Sequence, residues 1–250
     1  MAYTLQWLRS LTFMVQMYLV MLIMGLFFFP WAIVHRQGAY TGVRIYCRWV
    51  RWTASWMIGL TSEIRGKIPK GELLIAGKHQ SFFDVIMMVS VVAKPKFIMK
   101  SSLIWAPILG QYALRIGCVP VVRGKRSEAI KFMMEQVQRG TAPAGQLIIY
   151  PQGTRVVPGD RMPYKIGTAV LYRITGQVCI PAATNVGIFW PRYGIYRSPG
   201  HAVVEFLPAI EQGLEKDDFM NVLEDTIETR SNELMQGAGF NGIYKDFRRT

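Results

Sequence analysis

Cysteine is scarce. Cys47, Cys118 and Cys179 stand far apart in a chain of 250 residues, with no Cys-x-x-Cys spacing. That excludes a disulfide framework and a zinc site, predicts three small buried hydrophobes, and fits a reducing compartment. Acidic residues are also few, 16 against 29 lysines and arginines, which leaves a net charge of +13. A surplus of that size implies an anionic partner: nucleic acid, an anionic membrane surface, or a phosphorylated or thioester-carrier substrate. The basic residues are spread along the chain and match no recognised nucleic-acid motif, which makes nucleic acid the weakest of these readings. No Gly-x-Ser-x-Gly elbow presents a serine nucleophile. Internal repeats and low-complexity tracts are missing. So is a small-residue cleavage site after the first apolar run, which argues against a removable signal.

What the chain has in plenty is apolar surface. Hydrophobic residues make up 51% of it and its mean hydropathy is +0.19, both high for a purely soluble protein. Leu11 to Val34 is almost wholly apolar, with Gln16 the one strongly polar exception. As a helix the run reaches about 36 Å, enough for a bilayer core. Pro30 is expected to break it, leaving Leu11 to Phe29. Arg9 precedes the run, whereas Arg36, Arg44, Arg48, Arg51, Arg65, Lys67 and Lys70 follow it. If the segment spans, that bias places the rest of the chain on the cytoplasmic face. In the next stretch, Tyr40 to Leu60, Arg44, Arg48 and Arg51 share one helical face and Trp49, Trp52 and Trp56 a neighbouring one. Cations toward lipid phosphates and indoles at headgroup depth suit a membrane interface. Residues 1–60 are therefore expected to form a membrane-anchoring helical hairpin. Full crossing and shallow insertion into one leaflet both fit.

From Thr61 the pattern changes to short apolar runs alternating with helical ones. Strands are expected at Leu73–Gly77, Lys96–Lys100, Cys118–Val122, Gln146–Tyr150, Val178–Ala183 and Ala202–Leu207. Helices are expected at Phe83–Val92, Pro107–Ile116, Ser127–Arg139, Ile166–Thr175 and Lys216–Met235. Strands separated by helices predict an α/β domain over residues 61–250, a mixed central sheet flanked by helices.

His79 and Asp84 lie where the first expected strand ends and the first helix begins, the edge at which α/β sheets bind ligands. A neutral imidazole whose other nitrogen is fixed by a carboxylate takes a proton from a hydroxyl. Arg123 follows a strand, and its planar fork suits a phosphate. Tyr150-Pro151-Gln152-Gly153-Thr154-Arg155 is a turn that exposes main-chain N–H groups beside a hydroxyl and a guanidinium, a reasonable anion cradle. Lys100 ends another strand and is a candidate for the same phosphate site. Pro181, in Cys179-Ile180-Pro181-Ala182, marks an edge or a bulge.

The order His79-x4-Asp84, a strand tipped by Arg123, Pro151-x-Gly153-Thr154-Arg155 and Ile180-Pro181 resembles the glycerolipid acyltransferase family over roughly Leu73 to Ala183. The membrane-prone N-terminus also fits. The resemblance implies transfer of an acyl chain from acyl-CoA or acyl-carrier protein to the sn-2 hydroxyl of a lysophosphatidate, giving phosphatidate at the membrane. It implies His79 as general base, Asp84 as its orienting partner, Arg123 and the Gln152–Arg155 loop as holders of the glycerol phosphate, and Pro181 on the strand shaping the donor side. No cofactor or metal is expected beyond the thioester co-substrate. The family usually has Pro-Glu-Gly where this chain has Gln152, a change that leaves the site more positive. A direct transfer is expected, with the oxyanion met by main-chain amides near the His79 turn. Two rival readings stay open here: the same chemistry on another lysolipid, such as a lyso-amino-acid lipid, and a non-catalytic module binding anionic membranes through Arg44, Arg48 and Arg51.

Overall fold

The computed structural model describes residues 2–121, 145–242 and 245–246. Two helices open the chain, α1 (Ala2–Val34) and α2 (Arg36–Met57), an antiparallel hairpin that turns on His35. Its glycines explain how closely the helices pack. A Cβ on Gly38 would stand 2.7 Å from the Trp31 carbonyl carbon, and one on Gly42 3.0 Å from Phe28 Cβ. This is the Gly-x-x-x-Gly device for bringing two backbones together. Gln16, the polar exception in α1, is satisfied by α2: it donates to Thr53 Oγ1 (3.1 Å) and accepts from Trp49 Nε1 (3.1 Å). The stretch Tyr3–Val34 is long and apolar enough to cross a membrane, and only 17% of its most apolar window is buried against protein.

Pro30 does not end α1, which runs on to Val34. The end is held from outside: Arg115 donates to the carbonyls of Ala32 (2.8 Å) and Ile33 (2.5 Å). A cation on the last carbonyls of a helix offsets the loss of one proline-blocked bond.

The remainder is a seven-stranded mixed sheet with helices on both faces. Its strands are β1 (Leu60–Arg65), β2 (Leu73–Gly77), β3 (Pro95–Lys100), β4 (Val119–Val121), β5 (Gln146–Ile149), β7 (Cys179–Thr184) and β8 (Gly200–Phe206), in the order β1-β8-β7-β2-β5-β3-β4. A two-residue pair, β6 (Asp160–Arg161) with β9 (Lys245–Asp246), stands apart. Strands β7, β2, β5, β3 and β4 run parallel, and β8 and β1 run the other way. The helices are α3 (Phe82–Val89), α4 (Leu109–Arg115), α5 (Gly167–Thr175) and α6 (Lys216–Gly237). The expected helix Ser127–Arg139 lies outside the described residues. Strand β1, not expected from the sequence, is polar on its outer half and owes its place to pairing with β8.

Alternation along the central strands divides the core. Ile75 and Ile148 face a cluster with Phe13, Met17, Val50, Phe83 and Trp190. Leu74, Ala76, Leu147 and Ile149 face one with Tyr172, Phe219 and Leu223. The hairpin thus shares its core with the sheet.

Two expectations change. Arg44 donates to Ala93 O (2.6 Å), Arg48 to Ser90 O (3.3 Å), and Arg51 to Ser90 Oγ (2.8 Å) and Ser62 O (3.1 Å). The basic stripe expected to face lipid phosphates is instead drawn to the carbonyl end of α3, where cations are favoured. Trp52 and Trp56 do remain outward, each 56% exposed. Pro181 is not at a sheet margin, because β7 lies between β2 and β8. The bulge half of that reading fits. Leu207 donates to Pro181 O, as the Ala182–Phe206 register requires, but Cys179 bridges Ile210, so the partner chain gains one residue opposite Ile180, next to the proline.

Candidate active site

Strands β2 and β5 are parallel neighbours, with Ala76 level with Ile149, so their carboxyl ends deliver Lys78-His79 and Tyr150-Pro151 side by side. Gly77 permits this approach, since a Cβ there would meet Met88 Cε at 2.9 Å and Tyr150 at 3.5 Å. Alternation sends the two residues after Gly77 to opposite faces. His79 lines a cavity on the hairpin side, whereas Lys78 goes under the sheet toward α6.

His79 is held from three directions. Its Nδ1 lies 3.0 Å from Asp84 Oδ1. A carboxylate only accepts, so Nδ1 carries a hydrogen, and in the neutral imidazole Nε2 keeps its lone pair. The imidazole stacks on the Tyr150 ring at 3.9 Å and 18°. Its main-chain oxygen accepts from Val156 N–H at 2.8 Å, which ties the second loop to the first.

Asp84 is fully buried. Its Oδ2 accepts from the N–H groups of Gln80 (2.9 Å) and Ser81 (2.8 Å), while Ser81 Oγ accepts from Phe83 N–H: a capping box that starts α3. The Tyr150 hydroxyl donates to Asp84 Oδ1 at 3.4 Å. Burial, then the Asp84 charge, pushes that phenol well above its ordinary value, so it stays a donor. The same box narrows one expectation, that main-chain amides near the His79 turn meet the oxyanion. The Gln80 and Ser81 amides are spent on Asp84 and are not free to meet an oxyanion.

The cavity holds about 1240 Å³, beyond the roughly 300–1,000 Å³ of an ordinary small-molecule site. One part is apolar, walled by Met14, Met17, Met21 and Leu22 of α1, Val85 and Val89 of α3, and Ile108 before α4. Ile108 adopts φ 63°, ψ −62°, and Leu109 N–H donates to Pro107 O at 2.6 Å, a γ-turn. This strained residue touches Gly25 of α1, where a Cβ would come within 2.3 Å of Ile108 Cγ2. The charged lining is basic: Lys100, Arg155, Lys165, Arg192 and Arg197, with no carboxylate in the wall among the described residues.

Of the residues singled out in the sequence, His79, Lys100, Gly153, Thr154 and Arg155 line this one cavity. Asp84 sits directly behind His79. Arg123 lies outside the described residues. Pro181 does not reach the wall, because β7 is separated from β5 by β2. Gln152 does not reach it either. The side chain is 1% exposed and turns beneath the sheet, where Nε2 donates to Glu228 Oε1 at 3.3 Å. There Glu228 pairs with Lys78 Nζ at 2.6 Å and accepts from Tyr164 OH at 3.0 Å. Burial pushes the Lys78 ammonium down, and Glu228 draws it back up. The contact of Tyr150 with His79 and Asp84, Lys165, Glu228 and the Arg192–Arg197 loop were not foreseen. The loop carried a signal, arginines among aromatics in Trp190-Pro191-Arg192-Tyr193-Gly194-Ile195-Tyr196-Arg197. Glu228 carried none, being 150 positions from Lys78.

A family model described as Acyltransferase matches residues 60–185. The 1-acyl-sn-glycerol-3-phosphate acyltransferase of Pseudomonas aeruginosa is 26% identical over 170 residues, covering 67% of this chain and 66% of that protein. The 1-acyl-sn-glycerol-3-phosphate acyltransferase alpha of Mus musculus is 26% identical over 175 residues, covering 66% and 60%. The match to these curated relatives spans a little under two thirds of their own length. The crystal structure of the 1-acyl-sn-glycerophosphate acyltransferase from Thermotoga maritima has the same fold, with a TM-score of 0.79 at 17% identity over 94% of this chain and 99% of that one.

Proposed function

The chain belongs to the acyltransferase family, and from that premise we propose that it transfers an acyl chain from a thioester to the sn-2 hydroxyl of a membrane-borne lysophosphatidate, forming phosphatidate. The observation that carries this reading is the His79–Asp84 pair facing a large cavity that is apolar along α1 and otherwise lined by cations. The relatives' names point to the same acceptor.

In this reading His79 Nε2 takes the hydroxyl proton as the oxygen attacks the thioester carbonyl. Free alkoxide is inaccessible near neutral pH, so the proton must leave as the new bond forms, a contribution of about 10²–10⁴-fold. Asp84 and the Tyr150 stack fix the ring and favour the imidazolium that results. The thiolate departs with the proton returned from His79, and the acyl group passes directly to the acceptor. The cationic wall meets the developing oxyanion and the acceptor phosphate. The donor is acyl-CoA or acyl-carrier protein, both anionic and both suited to that wall. Neither a metal nor a further cofactor enters the scheme. The active face is proposed to look onto the cytoplasm: α2 returns the chain to the start of α1, where Arg9 donates to Met57 O at 2.7 Å, and the domain that follows the hairpin carries the basic excess.

Gln152, standing where the family has glutamate, is the one departure from the family pattern that bears on the rival acceptor, a lyso-amino-acid lipid. That side chain lies behind the wall, against Glu228, so it offers no reason to choose a different headgroup. The test is a panel of lysolipids offered with acyl-CoA or acyl-carrier protein to the purified full chain in mixed micelles. Lysophosphatidate should be acylated fastest, and monoacylglycerol, which lacks the phosphate, at least about tenfold more slowly. Equal rates on both would overturn the acceptor assignment.

A further inference from the structure

Three guanidinium groups in the cavity wall share one pattern. Arg155 and Arg192 each donate through Nη1 to the other's main-chain oxygen, both at 3.0 Å, and flank the Tyr193 ring. Arg197 donates through Nη1 to the carbonyls of Gly194 (3.0 Å) and Tyr196 (2.9 Å). In each, Nη1 is the anchor. The opposite edge, Nε with Nη2, is the fork that grips two oxygens of one anion. For Arg192 and Arg197 the Nε atoms are buried with no acceptor, and Arg197 Nη2 faces only the Met14 thioether at 3.4 Å.

Arg197 is the telling member. It is 4% exposed, stacked on Trp190 at 4.5 Å, and forms no ion pair with a carboxylate among the described residues. Burial pushes its guanidinium down to about 10. A buried cation without a counter-ion is costly unless a ligand supplies the charge. The loop that carries it is moored to α1: Arg197 N–H donates to Ser10 Oγ (3.0 Å), and Arg197 O accepts from Gln6 Nε2 (2.8 Å). The apolar run begins at Leu11, so the mooring falls where polar sequence gives way to apolar, the depth of lipid phosphates.

We propose that Arg192 and Arg197 are phosphate ligands of this cavity, joining Arg155 in a three-guanidinium site for the phosphate of the lysolipid acceptor. The proposal rests on the functional reading above, in that the cavity is taken to hold a phosphorylated substrate. A phosphate of the acyl donor has the same chemistry, and the experiment separates the two.

The test uses the full chain in detergent carrying His79→Ala, so that bound substrates are not consumed. Calorimetric binding of lysophosphatidate and of acyl-CoA is measured with and without Arg192→Gln or Arg197→Gln. Each arginine change should weaken lysophosphatidate at least about tenfold and acyl-CoA by less than about twofold. Weakened acyl-CoA with unchanged lysophosphatidate would overturn the acceptor placement. Unchanged affinity for both would overturn the site itself. Arg192 is partly exposed, so Arg192→Gln carries the test if Arg197→Gln lowers the melting temperature. Loss of lysophosphatidate binding in these variants, in a protein whose wild type acylates no lysolipid, would sink the transfer reading and leave the phosphate site standing.

Discussion

His79 and Lys78 are adjacent in sequence and opposite in role. One faces substrate space, and the other anchors the strand end from below through Glu228. Replacing one partner of a buried pair strands the other's charge, at about 3–5 kcal/mol. Lys78→Met should therefore lower the melting temperature sharply, and adding Glu228→Gln should recover part of the loss. Thermal unfolding in detergent reads both, and an unchanged melting point for Lys78→Met would show that the pair holds nothing. At this scale the sequence exposed His79, Asp84, Thr154 and Arg155, because each sits at a strand end marked by a local pattern. Glu228, Tyr164 and Arg197 escaped notice because their partners are distant in sequence and a lone Glu, Tyr or Arg carries no local signature.

Helix α1 does more than present an apolar outer surface. Its inner face supplies apolar lining residues, Met14, Met17, Met21, Leu22 and Met24 among them, and Gly25 lets Ile108 close against it. Methionine side chains adapt readily to an alkyl chain. A larger residue at position 25 must push α4 away or fill the groove, at about 1–3 kcal/mol. Gly25→Leu is expected to shift the preferred acyl chain to shorter lengths, as read from rates across a series of acyl-CoA chain lengths. An unchanged chain-length profile in a folded variant would remove α1 from the acyl site. Most elements were legible within a residue or two, because buried parallel strands such as β2 read as continuous apolar runs. Strand β1 was not, since Thr61, Ser62, Glu63 and Arg65 mask it and only β8 makes it a strand. The arginine stripe of α2 was seen correctly as a stripe. Its destination was not, because periodicity reports a face and not what lies against it.

For the whole molecule, the positive charge and the apolar surface converge on one cavity. The hairpin packs onto the same core as the sheet, so in the proposed function an acceptor held in a membrane beside α1 would meet the His79 edge without passing through water. Extraction of an acyl chain would cost about 0.8 kcal/mol for every CH₂ group exposed, which favours a site assembled at the lipid surface. The central claim is that the His79 imidazole, fixed by Asp84, takes the acceptor proton. Its most direct measurement is the initial rate of phosphatidate formation from lysophosphatidate and acyl-CoA by the wild type and by His79→Ala, at saturating substrates in the same vesicles. The account predicts a fall in kcat of about 10²–10⁴-fold with lysophosphatidate binding retained. A His79→Ala protein that turns over at the wild-type rate would contradict it.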